Sequence, residues 1–299
     1  MDQASSLRKI VKDSASRQGS KSSGEASSSG TDPRVIAVTS GKGGVGKTNV
    51  VGNLALAMAD MGKKVLILDA DLGLANIDII FGVHPDFNIG HVLSGEKQLK
   101  EIIIEGRPGV RIIPAGSGFV NLTHLTDGEK LCLLSEFESL EDDFDYFLID
   151  TGAGISENVT YFNVAADECI VVVTPEPTSV TDAYAMIKVM STQHGEKRFK
   201  LLMNMVKDER EAKAVFLNLI QVADQYLGGV VLEYCGFLPR DEKVPAAVRQ
   251  RQPFVTLYPE ALSSVNIRKI ARQLEDAPRR LDANGNIKFF VKRYMDLRE

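Results

Sequence analysis

Cysteine is scarce in this sequence. Cys132, Cys169 and Cys235 are odd in number, scattered and without C-x-x-C spacing, which excludes a disulfide framework and offers no zinc or iron–sulfur ligand set. They read as small buried hydrophobes in a reducing compartment. Long apolar runs are also missing: none approaches the ~20 residues that span a bilayer, and the N-terminus is polar. Neither a signal peptide nor an integral anchor is expected. Positive charge is not in excess either, since 35 Lys+Arg face 40 Asp+Glu for a formal net charge of -5. Without a global field to hold nucleic acid, DNA is not an expected partner. No internal repeat occurs, and no N-K-x-D motif is present to read guanine.

What remains is 299 residues with 44% hydrophobic content, enough for a large core and best read as one α/β domain. Residues 1–12 form a short helical candidate, and the Ser/Gly-rich stretch 13–32 is a flexible linker. From Pro33 strands alternate with helices: Val35–Thr39, Lys64–Asp69, Val110–Pro114, Tyr146–Asp150, Cys169–Thr174, Lys200–Asn204 and Val230–Leu238. Such alternation means a doubly wound, mostly parallel sheet with helices on both faces. Runs such as VLILD and YFLID are apolar almost throughout, as strands covered on both sides are, and the strands' C-terminal ends should form the site. The α/β domain is placed at 33–275, a Pro/Gly-containing linker at 276–286 and a last apolar-basic segment at 287–299.

Residues 41–48 read GKGGVGKT. Gly41, Gly46, Lys47 and Thr48 satisfy the phosphate-loop pattern G-x-x-x-x-G-K-S/T, directly after an apolar strand and at the opening of a helix. Gly41, Gly43, Gly44 and Gly46 let backbone N–H groups, that of Val45 included, turn onto phosphate oxygens. Lys47 reaches the β- and γ-phosphates, Thr48 binds Mg²⁺, and the helix dipole acts from Asn49 onward. Lys42 is one lysine more than this chemistry needs within one chain, and it points to a nucleotide switch that dimerises.

Other polar residues stand at the ends of the apolar strands. Asp69 and Asp71 close the second, with Asn76 beyond a Gly-containing turn; as a pair they suit Mg²⁺ and the orientation of an attacking water, and as turn residues they would merely cap the next turn. Asp150 is a Walker-B-like acid that reaches Mg²⁺ through water, and TGAG after it can move with the γ-phosphate. Asn204 is placed either to read adenine or to form a turn.

Taken together, KGGVGKT at 42–48, DADLGLAN at 69–76, DTGAG at 150–154, MN at 203–204 and LPRD at 238–241 resemble the MinD/ParA family of deviant Walker ATPases, over roughly Pro33 to Leu274. The resemblance implies an Mg²⁺-dependent ATPase that forms a sandwich dimer around ATP. In it Lys42 crosses to the partner's phosphates, Asp71 positions the water, and Asn204 with Pro239, Arg240 and Asp241 surrounds adenine. Asp69, Asp150 and Thr48 would serve the metal.

The tails point to a branch. Ile287, Phe290, Val291, Tyr294 and Met295 recur at helical spacing beside Lys288, Lys292, Arg293 and Arg298, the pattern of a basic amphipathic helix for anionic lipid. Burying five such side chains yields about 5–10 kcal/mol, comparable to the ordering cost, so one copy binds marginally. Two copies joined by ATP gain ~10²–10⁴ in avidity. The competing reading docks this helix on the protein core. At the other end DQASSLR resembles the N-terminal element of the FlhG (FleN, YlxH) branch, which implies that Gln3, Leu7 and Arg8 engage an FlhF-type GTPase. The expectation is a cytoplasmic ATPase, peripheral on the inner membrane and polar, that controls flagellar number and placement with flagellar C-ring proteins or a transcription regulator as further partners. The alternatives are a MinD-type division-site ATPase, which has no reason to carry DQASSLR, a ParA-like partition ATPase, disfavoured by the acidic balance, an iron–sulfur carrier, disfavoured by the cysteines, and a non-enzymatic scaffold.

Overall fold

In the computed structural model, residues 33–71, 76–114, 135–137, 140 and 144–278 are described. They run β1 (Arg34–Ser40), α1 (Lys47–Ala59), β2 (Val65–Ala70), α2 (Ile77–Phe81), α3 (Ile89–Leu93), α4 (Leu99–Ile102), β3 (Ile104–Arg107), β4 (Val110–Ile113), β5 (Tyr146–Ala153), α5 (Glu157–Ala165), β6 (Glu168–Val173), α6 (Pro177–Gln193), β7 (Arg198–Val206), α7 (Glu209–Tyr226), β8 (Val231–Pro239), α8 (Lys243–Arg249), α9 (Phe254–Leu257) and α10 (Leu262–Asp276). The tail assignments lie outside the described residues: Gln3, Leu7 and Arg8 at one end, Ile287, Phe290, Val291, Tyr294 and Met295 at the other.

The strands form one sheet in the order β3-β4-β2-β5-β1-β6-β7-β8. All neighbours are parallel except β3 and β4. Alternate residues supply opposite faces, and both are apolar. Ile36, Val38, Ile67 and Leu148 pack with α1 and α10 through Leu54, Met58, Ile267 and Ile270. Val35, Leu66, Phe147, Val171 and Met203 turn to the other side, against Phe162 of α5, Met186 of α6 and Leu219 of α7. That double covering is why these strands read as unbroken apolar runs. At the sheet's N-terminal end the buried Arg34 pairs with Glu168 and also donates to the Leu274 carbonyl, fixing the last turn of α10.

β1 lies between β5 and β6, while the chain leaving β1 returns as β2 beyond β5. The strand order therefore reverses at β1, and a crevice opens outside its C-terminal end. β3 was not anticipated. Its four residues, IEGR, carry a glycine and two charges, and it pairs antiparallel as the sheet's edge.

α8 ends with Arg251 left-handed at φ 51. Arg251 N donates to the Val248 carbonyl and Gln252 N to that of Ala247, the Schellman pattern in which glycine is preferred. The left-handed cost to an L-residue exceeds the extra chain entropy glycine brings, so Arg251→Gly should stabilise the protein by about 0.5–1 kcal/mol. A rise in the urea midpoint with unchanged slope would show it; an unchanged midpoint would count against it.

Candidate nucleotide-binding site

The loop between β1 and α1 is closely approached at its two ends, by backbone at one and by a side chain at the other. A Cβ on Gly41 would lie 2.2 Å from the Asp182 carbonyl carbon of α6, so glycine is required for the loop to begin there. Gly46, at φ 85, caps α1, and a Cβ on it would meet the Asn204 amide nitrogen at 2.5 Å. No side chain caps the N-terminus of α1. Its first-turn N–H groups are left facing the crevice, the arrangement that favours an anion.

The two middle glycines of the loop are held differently from those at its ends. Gly43 and Gly44 are exposed, and a Cβ on either would meet nothing within 4 Å, so neither is held against the protein as Gly41 and Gly46 are. Gly44 has a conformational reason to be glycine, since its φ is 79. Gly43 has neither a close neighbour nor a positive φ, and nothing within the chain requires glycine at that position. Both lie on the open side of the loop next to Lys42, where a phosphate or a second protein surface could approach the bare backbone.

Lys47 is buried, with its Nζ 2.7 Å from Asp150 Oδ1. Asp150 is fully buried at the end of β5, and its Oδ2 has no hydrogen-bond partner. Burial pushes the Asp150 carboxyl above the usual range, against the pull of the Lys47 ammonium and the Thr48 hydroxyl. Asp69 has turned to its own backbone: Oδ2 accepts from Asn76 N at 3.0 Å and Ile77 N at 3.1 Å, and Oδ1 from Asp71 N at 3.3 Å. Burial, helped by the charge of Asp150, pushes its pKa up to about 7 against those N–H donors. Asp69 thus has the geometry of a turn cap. Asp71 is half-buried and faces Gly152, where a Cβ would lie 3.8 Å from its Oδ1. Gly154 N donates to the Ser40 carbonyl at 2.9 Å, tying the DTGAG segment to the strand that carries the phosphate loop.

Lys42 does not point into its own loop. Its Nζ lies 2.8 Å from Glu176 Oε2 and 3.0 Å from the Thr178 hydroxyl, at the opening of α6. The Lys42 ammonium holds the Glu176 carboxyl below its ordinary range. Glu176 is 61% exposed, so this is a weak surface contact that a competing partner can replace.

Across Gly46 a cavity of about 600 Å³ opens between the ends of β7 and β8 and the face of α8. Asn49, Asn204, Pro239, Arg240 and Asp241 all line it. Two of these polar groups are already engaged. Asn204 Nδ2 donates to the Val45 carbonyl at 2.7 Å, and its Oδ1 accepts from Met205 N at 2.9 Å. Asp241 accepts from Lys243 N at 2.9 Å and from Ser263 N at 3.3 Å. Asn204 is therefore a clamp between β7 and the phosphate loop. The sequence reading missed the apolar wall: Met205, Val244, Pro245, Val248 and Phe254. Val244 and Val248 stand four apart just after LPRD, a signal that was available.

For Mg²⁺ the fit is good. Thr48 and the unpartnered Asp150 Oδ2 are hard oxygens. Among the described residues no group of three His, Cys, Asp or Glu gathers to hold a metal by itself. A cation that keeps its waters and takes phosphate oxygens needs few protein ligands. The crevice thus brings the phosphate loop, Asp69, Asp71 and Asp150 to one end of the sheet, with Asn204 and the LPRD residues beyond Gly46, while the Lys42 side chain leaves the loop for the opening of α6.

Residues 33–203 match the family model described as an AAA domain. The chain is 42% identical to the antiactivator FleN of Pseudomonas aeruginosa over 87% of its own length and 92% of that protein. It is 39% identical to the flagellum site-determining protein YlxH of Helicobacter pylori over 88% of this chain and 90% of that one. Among solved structures, the septum site-determining protein MinD of Pyrococcus horikoshii, complexed with Mg-ADP, superposes with a TM-score of 0.65 at 27% identity, covering 82% of this chain and 96% of that one.

Proposed function

The chain belongs to the MinD/ParA family of P-loop ATPases, on the FleN and YlxH side of it, and from that premise we propose that it is an ATP-driven dimerising switch that sets flagellar number and placement. The observation that carries the dimer is the position of Lys42, paired with Glu176 on α6 rather than turned toward its own phosphate loop. A lysine so placed can be given up to a second copy, where it acts on the partner's nucleotide as an arginine finger does in trans. The bare backbone of Gly43 and Gly44 beside it leaves room for that approach.

Catalysis in such a site is positioning and charge neutralisation. The N–H groups from Gly43 to Thr48 cradle the phosphates, and Lys47 exchanges its bond to Asp150 for a phosphate oxygen. Asp71, beside the glycines of DTGAG, orients the attacking water. Mg²⁺, held by Thr48 and through water by Asp150, would supply neutralisation of the β- and γ-phosphate charge. Asp69 serves by fixing the turn that presents Asp71.

The output rests on the tails. The basic amphipathic segment 287–299 would bind anionic lipid weakly in one copy and firmly in two, making attachment ATP-dependent. The segment 1–12 would stimulate an FlhF-type GTPase through Gln3, Leu7 and Arg8; the name antiactivator supports a transcription regulator as a further target and the name flagellum site-determining protein supports a role in placement, with C-ring proteins as a further target on this reading. The test is GTP hydrolysis by the FlhF-type GTPase with a peptide of residues 1–20, beside Gln3→Ala and Leu7→Ala peptides. Stimulation that the substitutions abolish is expected. No stimulation would remove the flagellar effector arm and bring forward a division-site ATPase.

A further inference from the structure

Two described non-glycine residues have positive φ. Arg251 is explained by its helix end. Met205, at φ 58, is not: it lies inside β7, where pairing with β8 loses register between Met203 and Val206. A bulky residue held left-handed in a strand is strained, and such strain persists at sites where it aims a side chain. Here the strain is over-determined by one hydrogen bond, since Asn204 Oδ1 accepts from Met205 N at 2.9 Å while the same amide is fixed to the phosphate loop.

The consequence is the direction of the thioether. Met205 Cε lies 3.3 Å from where a Cβ on Gly46 would be, so the side chain covers the last glycine of the phosphate loop and is half-buried in the wall of the 600 Å³ cavity. Val244, Pro245 and Val248 belong to the same cavity. Asn204 and Asp241 spend hydrogen bonds on the scaffold, polar capacity remains at Asn49, Arg240, Glu242 and Arg249, and the wall that Met205 shares with Val244, Pro245 and Val248 is apolar. What that wall offers a base is a face.

We propose that Met205 sets base selectivity: its thioether lies against one face of the purine, α8 supplies the other wall, and the slot prefers a two-ring base over a one-ring base by contact area. Sulfur over an aromatic ring is a favourable contact, and a pyrimidine covers less of the slot. The inference rests on the nucleotide reading above and deepens it. The left-handed turn exists to place this one side chain.

The test compares wild type with Met205→Ala, Met205→Leu and Met205→Gly by calorimetric titration with Mg-ATP, Mg-CTP and inorganic tripolyphosphate, beside the apo melting temperature. Met205→Ala should weaken ATP roughly five- to tenfold, CTP much less and tripolyphosphate not at all. Met205→Leu, which restores an apolar side chain of similar size, should recover most of the preference. Met205→Gly should lose the preference yet keep or exceed the wild-type melting temperature, because glycine accepts the positive φ that methionine strains to hold. An ATP-to-CTP ratio unchanged in Met205→Ala overturns the inference while leaving the nucleotide site standing. A wild type that binds neither ATP nor tripolyphosphate overturns both.

Discussion

Lys47→Met is expected to destabilise the nucleotide-free protein by about 3–5 kcal/mol at neutral pH, in addition to abolishing ATP binding. The reason is Asp150. Its carboxylate is fully buried, one oxygen is bonded to Lys47 at 2.7 Å, and the other has no partner. Removing the ammonium leaves an uncompensated charge in the core, which costs far more than a surface ion pair is worth. The sign of the pH dependence follows. Burial already raises the Asp150 pKa, and loss of Lys47, which pulls it down, raises it further. The folded state then holds a proton that the unfolded chain, with aspartate near 3.9, has released. Stability must fall as pH rises through the folded-state pKa and recover as pH drops toward about 4. The variant's deficit should accordingly be largest at neutral pH and shrink in acid. Lys47→Met combined with Asp150→Leu should regain most of the stability and none of the activity, since an apolar pair of similar volume replaces a buried ion pair at little cost. Urea denaturation of wild type, both single variants and the double variant between pH 4 and 8 decides the matter, and a Lys47→Met protein as stable as wild type throughout would refute the assignment of a buried charge.

Much of this molecule is legible in its sequence because burial leaves a simple trace. β1, β2, β5 and β6 are covered on both faces, so they read as apolar until the strand reaches the crevice, where Asp69 and Asp150 announce the end. The phosphate loop is legible for a different reason: a Cβ on Gly41 would strike the Asp182 backbone and one on Gly46 the Asn204 side chain, so the spacing is imposed by close contact at both ends. Gly44 adds a positive φ, whereas Gly43 is free of both constraints, and a run of identical letters conceals those three different causes. The legible part stops where one residue type supports two geometries. Asp69 and Asp71 are alternate members of one motif, yet one bonds its own turn and the other faces Gly152, and no pattern of neighbours separates a capping carboxylate from one that faces the crevice. Asn204 is similar, since its amide bonds the phosphate loop and the strand backbone as well as standing at the cavity wall. Met205 left no trace at all, since positive φ in a methionine has no compositional signature and the edge pairing of β7 with β8 that creates it is a long-range contact. The tails lie outside the described residues, and their roles are read from the spacing of Ile287 to Met295 and from DQASSLR.

Lys42→Ala should lower ATP turnover by on the order of 10³-fold while leaving the affinity of one copy for ATP nearly unchanged, because a charge supplied in trans acts on the transition state rather than on ground-state binding. The cis contact supports this division. Lys42 is bound to Glu176 and Thr178 on α6, away from the carboxylates at the phosphate loop. Asp71→Ala should lose turnover too, but through the water, and should accumulate as ATP-bound dimer. Mixing the two inactive variants separates trans from cis. In a mixed dimer, the copy bearing Lys42→Ala keeps its own Asp71 and receives Lys42 from its neighbour, which completes one site; the other site lacks both groups. Random pairing makes about half the dimers mixed, each with one working site of two, so an equimolar mixture should recover roughly a quarter of wild-type turnover if the lysine crosses the interface. If Lys42 serves its own nucleotide, no pairing restores a complete site and the mixture stays inactive. Glu176→Ala tests the same contact from the other side: freeing Lys42 should lower the ATP concentration at which the dimer appears on size exclusion, and a rise in that concentration would show Glu176 to be part of the interface instead of a resting place for the lysine.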